Sequence, residues 1–195
     1  WIDNNILNNT GFLGRISLNI TLNELTLAEC NEFWEGNKTS ISVFEKYKIL
    51  SLTGGVPKYL EEIRTELTAE ENIRNLCFTP SGLLFNEFEH IFTDVFSKRS
   101  EIYKKIVQTI SDSSFELDKI CKLLDVEKSG VMSTYLEDLV SSGFISRDHT
   151  WHILKGKQSK LSKYRIKDNY LRFYLKYILP NKDQIKRDIF VNRSL

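Results

Sequence analysis

The sequence predicts a mainly helical fold with a small β component, and three observations carry that expectation. Apolar residues recur at helical spacing through much of residues 42–140, as in Leu117, Ile120, Cys121 and Leu124. Gly54, Gly55, Pro57 and Gly143 punctuate those runs where helices stop or start. Strict alternation, the mark of a half-buried strand, is strongest at residues 16–22, and further strand-like segments follow Gly143. Hydrophobic residues make up 41% and charged residues 27% of the 195, an ordinary globular composition with room for one large or two small domains.

From the front, residues 1–10 predict a short helix with Trp1, Ile2, Ile6 and Leu7 on one face, broken by Gly11 and Gly14. Ile16, Leu18, Ile20 and Leu22 then predict a strand. No comparable strand lies nearby, and an unpaired strand leaves a row of backbone groups unsatisfied. Its neighbours are therefore expected upstream of Trp1. The start without Met and the end at Ser194-Leu195 without a closing signal fit an excerpt of a longer protein. Thr26 and Glu29 form a T-x-x-E capping box that opens a helix ending near Trp34, followed by a polar loop at 36–42.

Three helices are expected next, as a small bundle. The first packs through Val43, Phe44, Tyr47 and Leu50 and stops at Gly54-Gly55. The second begins with Pro57 in its first turn, where the missing N–H costs nothing, and uses Tyr59, Leu60, Ile63 and Leu67. The third runs over 83–96 through Leu84, Phe88, Ile91, Phe92 and Val95. Hinges are expected at 36–42 and 79–82.

Residues 101–167 predict three further helices and then strands. Ile102, Ile106, Val107 and Ile110 mark the first helix, Leu117 to Leu124 the second, and Met132, Leu136, Leu139 and Val140 the third, which Gly143 ends. Residues 125–129 supply the short connection of a helix-turn-helix. Residues 144–147 and 151–154 read as strands, with another candidate at 162–166. Helix, helix, helix, strand, basic loop, strand is the winged-helix order.

Net charge is only +1, so any attraction to nucleic acid must come from local clustering. The loop supplies it: Lys155, Lys157, Lys160, Lys163, Arg165 and Lys167 fall in a stretch without an acid. Such a wing can lie along a DNA phosphate backbone; equally, a solvated or protein-docking loop needs charge for solubility. Ser129, Ser133 and Thr134 on the third helix suit a groove, whereas Glu137 and Asp138 oppose phosphate.

Other chemistry finds little support. Cys30, Cys77 and Cys121 are odd in number and widely spaced, which argues against a disulfide framework or zinc knuckle. Gly36-Asn37-Lys38-Thr39 fails the phosphate-loop pattern, because Asn37 separates Gly from Lys. His149 and His152 lack an obvious third ligand, so no metal is expected, and Trp151 between them is expected to pack. No apolar run approaches the roughly 20 residues of a membrane span, and with no targeting segment visible a cytoplasmic protein is expected.

Three patches together resemble the archaeal-type P-loop ATPases, an AAA+/STAND-like family. Gly14-Arg15, the strand and Leu25-Thr26-Leu27-x-Glu29 are similar to the segment after the last conserved strand of that family. Gly54-Gly55-Val56-Pro57-x-Tyr59-Leu60 resembles its Gly-x-Pro lid motif. Ser162-x-Tyr164-Arg165-Ile166-x-Asp168-Asn169-Tyr170-Leu171-Arg172-Phe173-Tyr174, with Leu179-Pro180-Asn181, looks like the segment after the winged helix in members with a C-terminal extension.

The resemblance implies four parts: the end of a nucleotide-binding α/β domain at 1–36, a helical lid at 37–98, a winged helix at 99–167, and a C-terminal helix and linker at 168–195. It implies that Gly54, Gly55, Val56 and Pro57 lie against the adenine of a nucleotide, and that Arg15 senses its γ-phosphate. It also implies that ATP or ADP with Mg binds only in a full-length protein, whose missing N-terminal P-loop domain is this chain's first partner. DNA, through Lys155, Lys157, Lys160, Lys163 and Arg165, is the second. Some members continue into a nuclease-like domain of the PD-(D/E)xK type. Lacking the phosphate loop and the acidic strand, these residues alone are expected not to hydrolyse ATP. The alternative is a free-standing winged-helix DNA-binding regulator, which requires the strand at 16–22 to be paired within the chain.

Overall fold

The described residues of this computed structural model are 11, 15, 17, 18, 20, 22–34 and 41–191, without the side chain of Lys160. The expected helix at 1–10 lies outside them, as do parts of the 16–22 and 36–42 segments. Of the expected strand, Ser17, Leu18, Ile20 and Leu22 belong to no strand. Leu18, Ile20 and Leu22 are 73%, 66% and 90% exposed. The alternation is real, but no strand among the described residues offers these positions an edge, and without one a period of two cannot become a ladder.

Helix α1 (Leu27–Phe33) forms as its capping box requires: Glu29 N–H donates to the Thr26 hydroxyl and Thr26 N–H donates to the Glu29 carboxylate. It buries Cys30, with Trp34 just beyond its end. Helix α2 (Val43–Thr53) is capped by Ser42 and stops at Gly54, as expected, but its face is not the expected one. Ile49, Leu52 and Thr53 are buried, Leu50 partly so, while Val43, Phe44 and Tyr47 face outward. A helix with apolar residues on both sides leaves its orientation to its neighbours.

The next helix is shorter than its apolar spacing suggests. Helix α3 (Pro57–Glu61) ends where a loop begins, and a second capping box at Thr68 and Glu71 opens α4 (Ala69–Cys77). Buried Asn72 on α4 holds that loop: its amide donates to the carbonyls of Arg64 (2.9 Å) and Thr68 (3.0 Å) and accepts from Arg64 N–H (2.9 Å). Helix α5 (Leu83–Phe96) follows as expected. A Cβ on Gly82 would stand 2.4 Å from the Leu76 carbonyl, so residues 79–82 form a tight turn packed on α4.

Helices α6 (Ser100–Thr109), α7 (Leu117–Leu124) and α8 (Gly130–Ser141) appear in the expected order. Gly143, at φ +80°, ends α8 with Phe144 N–H donating to the Leu139 carbonyl and Gly143 N–H to the Val140 carbonyl. The two candidate strands after it are one strand, β1 (Ile145–His152). It pairs antiparallel with β2 (Lys157–Ile166), from Ile145↔Ile166 to His152↔Lys157, with a bulge near His149. The expected basic loop is therefore mostly strand, and the connection is only a 3-10 turn at Ile153–Lys155 plus Gly156 at φ +57°. Phe115 bridges to Tyr164 on the inner edge of β2.

After Asp168 caps α9 (Asn169–Phe173), a π turn over Tyr174–Ile178 and a 3-10 turn lead to α10 (Lys182–Lys186). This segment returns to the first helices. Tyr170 donates its hydroxyl to the Leu84 carbonyl (2.8 Å), and the Tyr174 ring stacks on Phe88 with centroids 4.3 Å apart. Phe92 stacks on Phe144 and Phe96 on Tyr103 across the junction at 98–99. Buried side chains form one continuous core from Cys30 to Ile185. Among the described residues no helix is long and apolar enough to cross a membrane.

Candidate functional site: the glycine turn and the basic hairpin

The turn between α2 and α3 is built from both sides. Gly54 adopts φ +59° and ψ −153°, a conformation that residues with a Cβ rarely reach. Gly55 is buried and touches the chain just before α1. Its carbonyl accepts from Leu25 N–H (2.8 Å) and its N–H donates to a Glu24 carboxylate oxygen (3.3 Å). A Cβ there would lie 2.0 Å from the Leu25 carbonyl oxygen. The close backbone approach that Gly55 permits is thus made to Glu24-Leu25. Val56 is extended and half-buried, and the exposed Pro57 ring stands at the start of α3.

The electrostatics of this turn are acidic. Glu24 contacts it directly, and Asp168 lies close enough to feel the Glu24 charge. Burial chiefly pushes the Asp168 carboxyl up to about 6 and Glu24 adds to the rise, while the Leu171 N–H and Arg172 hold it down. Behind the turn Glu87 pairs with Lys58 (3.0 Å) and sits beside the Tyr59 hydroxyl. Carboxylates suit ribose hydroxyls or an amino group on a base better than a phosphate. Arg15 is exposed, and among the described residues no hydrogen bond or ion pair joins it to the turn.

The hairpin sorts its charges by face. Tyr164 and Ile166 point to the core, so Lys163 and Arg165 alternate outward on β2; Lys157, beyond the bulge, and Lys167, past the end of β2, are exposed as well. Lys155 is exposed in the turn. Arg165 is engaged by Asp148 (2.5 Å), whereas no described carboxylate pairs with Lys155, Lys157 or Lys163. The side chain of Lys160 lies outside the described residues. The two acids of α8 that oppose phosphate are both occupied: Glu137 holds Arg147 (2.7 Å), and Asp138 accepts from the Tyr103 hydroxyl.

Sequence reasoning missed the hairpin tip. Trp151, expected to pack, is 63% exposed, beside Ile153, Leu154 and Leu161, which are also exposed. A strand that extends past its supporting helices has nothing to pack on, and sequence spacing does not report where that support ends. The three cysteines are free and buried. Among the described residues no group of three His, Cys, Asp or Glu converges as a metal site.

No family model matches this sequence, and no solved structure matches it. An uncharacterized protein of Methanocaldococcus jannaschii, MJECL04, is 30% identical over 152 residues, which cover 75% of this chain. The aligned region covers 32% of that relative, so the chain spans about a third of its length.

Proposed function

We propose that this chain is the lid and winged-helix part of an ATP-binding P-loop ATPase, nucleotide-responsive and DNA-associated, and not hydrolytic by itself. The observation that carries the reading is the approach to the glycine turn. Leu18, Ile20 and Leu22 leave their apolar side chains in solvent, and the residues that follow, Glu24 and Leu25, clamp Gly54-Gly55. That arrangement supports a sheet supplied by a preceding nucleotide-binding domain, whose last strand runs straight into the turn. A relative about three times as long as the aligned region is consistent with it.

Nucleotide held by that domain would meet the exposed Pro57 ring, with Glu24 facing ribose or base and the phosphates directed away toward the domain's own loop and Mg. Arg15 would complete the phosphate end. A shift of Glu24-Leu25 then moves the turn, and with it α2 and α3, as packed bodies. The helix–helix–helix–hairpin order supports a winged helix, and Lys155, Lys157 and Lys163, exposed and paired with no described carboxylate, support phosphate contact. The free-standing regulator is less favoured, because it needs residues 16–22 paired within the chain.

Two measurements test the reading. Anisotropy of labelled duplex DNA with this chain should show affinity falling steeply between about 50 and 200 mM salt. Replacing Lys155, Lys157 and Lys163 by Ala should lower the log–log salt slope by roughly 3; an unchanged slope removes the DNA contact. In the protein extended upstream, ATP binding weakened by Pro57→Ser is expected. An extended protein that ignores ATP overturns the ATPase assignment.

A further inference from the structure

The outward-facing stripe of α2 has a counterpart across a cleft of about 550 Å³. Phe44 and Tyr47 form one wall, and Phe173 and Tyr177 form the other. Phe78 and Phe190, stacked 4.9 Å apart at 13°, contribute an apolar surface beneath. Aromatic walls in a cleft of this size suit one flat ring system rather than an aliphatic chain.

Charge narrows the ligand further. Lys48 also lines the cleft, but Glu45 (3.4 Å) and Glu70 (3.1 Å) already hold its ammonium. Arg172 and Lys176 stand one helical turn apart on the Phe173 wall, and neither is ion-paired with a described carboxylate. Arg172 spends one nitrogen on the carbonyls of Ile166 (3.2 Å) and Lys167 (3.5 Å), which fixes the guanidinium and leaves its other N–H groups available. The Lys176 ammonium lies over the Tyr177 ring at 5.2 Å. Among the described residues the only acid on the lining, Glu70, is the one paired with Lys48. The cleft therefore combines flat apolar walls with two cations that form no ion pair among the described residues, Arg172 standing near enough to Asp168 to act on its charge.

We infer that this cleft binds a planar aromatic anion of nucleotide size, its ring between the α2 and α9 aromatic walls and its phosphate on Arg172 and Lys176. Every group named belongs to this chain, so the site needs no upstream domain and is separate from the nucleotide contact proposed at Pro57. Binding there would bridge α2 to the segment that follows the hairpin.

The test uses the chain itself, titrated by calorimetry with AMP, adenosine and inorganic phosphate. AMP is expected to bind at least about tenfold more tightly than adenosine or phosphate, because stacking and charge act together. Tyr47→Ala and Lys176→Glu change exposed side chains, and unaltered thermal melts would show that both variants fold. Each should weaken AMP by about fivefold or more. AMP that fails to bind at about 10 mM overturns the inference. So does AMP binding that both variants leave intact, or phosphate that binds as well as AMP. Loss of AMP binding in Pro57→Ser alone would move the ligand to the glycine turn and equally reject the cleft.

Discussion

Gly55 and Gly130 show what a single residue decides. Both are glycines in a helical region, yet a Cβ at Gly55 would meet the Leu25 carbonyl oxygen at 2.0 Å, and one at Gly130 would meet nothing within 4 Å. Gly55→Ala should destabilise the protein by about 3 kcal/mol, since backbone must move to relieve the overlap. Gly130→Ala, at the start of α8, should be neutral or stabilising by up to roughly 1 kcal/mol. Denaturant melts of both variants check the pair, and equal effects would mean that Leu25 does not sit against the turn. The Gly-Gly-Val-Pro motif was legible in the sequence. Its neighbour was not, because Leu25 is thirty residues away and nothing in local spacing records a long-range contact.

At the scale of elements, caps were the most readable signals. Thr26 with Glu29 does what its spacing predicts, whereas Ser42, expected only as the end of a polar loop, caps α2. The capping box of α4 was present in the sequence as well, at Thr68 and Glu71, but the apolar run Tyr59, Leu60, Ile63 and Leu67 obscured it. Helix α9 adds a titratable cap. Asp168 has its carboxyl raised to about 6 by burial, with Glu24 adding to it, from an ordinary value of 3.8. A folded-state pKa above the unfolded one means that the folded chain binds this proton more tightly. Its contribution is therefore most favourable below pH 4, declines as pH rises through 4 to 6, and is lost above. Asp168→Asn keeps a good N-cap and removes the titration. The variant should gain stability relative to the parent across that window, by at most roughly 3 kcal/mol. Urea melts at pH 4 and pH 7 measure the difference, and a gap that does not change with pH would refute the buried carboxyl.

Across the whole molecule, the C-terminal segment ties the first helices to the hairpin. Tyr174 is fully buried against Phe88, Tyr170 reaches the Leu84 carbonyl, and Phe144 at the foot of β1 stacks on Phe92. These contacts couple the expected lid to the expected winged helix within one core. The chain should therefore unfold in a single transition, with far-ultraviolet and aromatic signals coincident. Two separated transitions would show that the parts at 37–98 and 99–167 are independent.

The sequence by itself determined the helical class, most of the helix starts and stops and the Gly143 terminus. Each depends on interactions within a few residues, where spacing and caps act directly. Only the tertiary structure decided which side of α2 is buried, that Gly55 meets Leu25, and that the basic run is strand. It also decided that Leu18, Ile20 and Leu22 are exposed and belong to no strand. Those outcomes depend on which distant surface is available to pack or pair, and a periodic pattern states a capacity for burial without naming the partner that fulfils it.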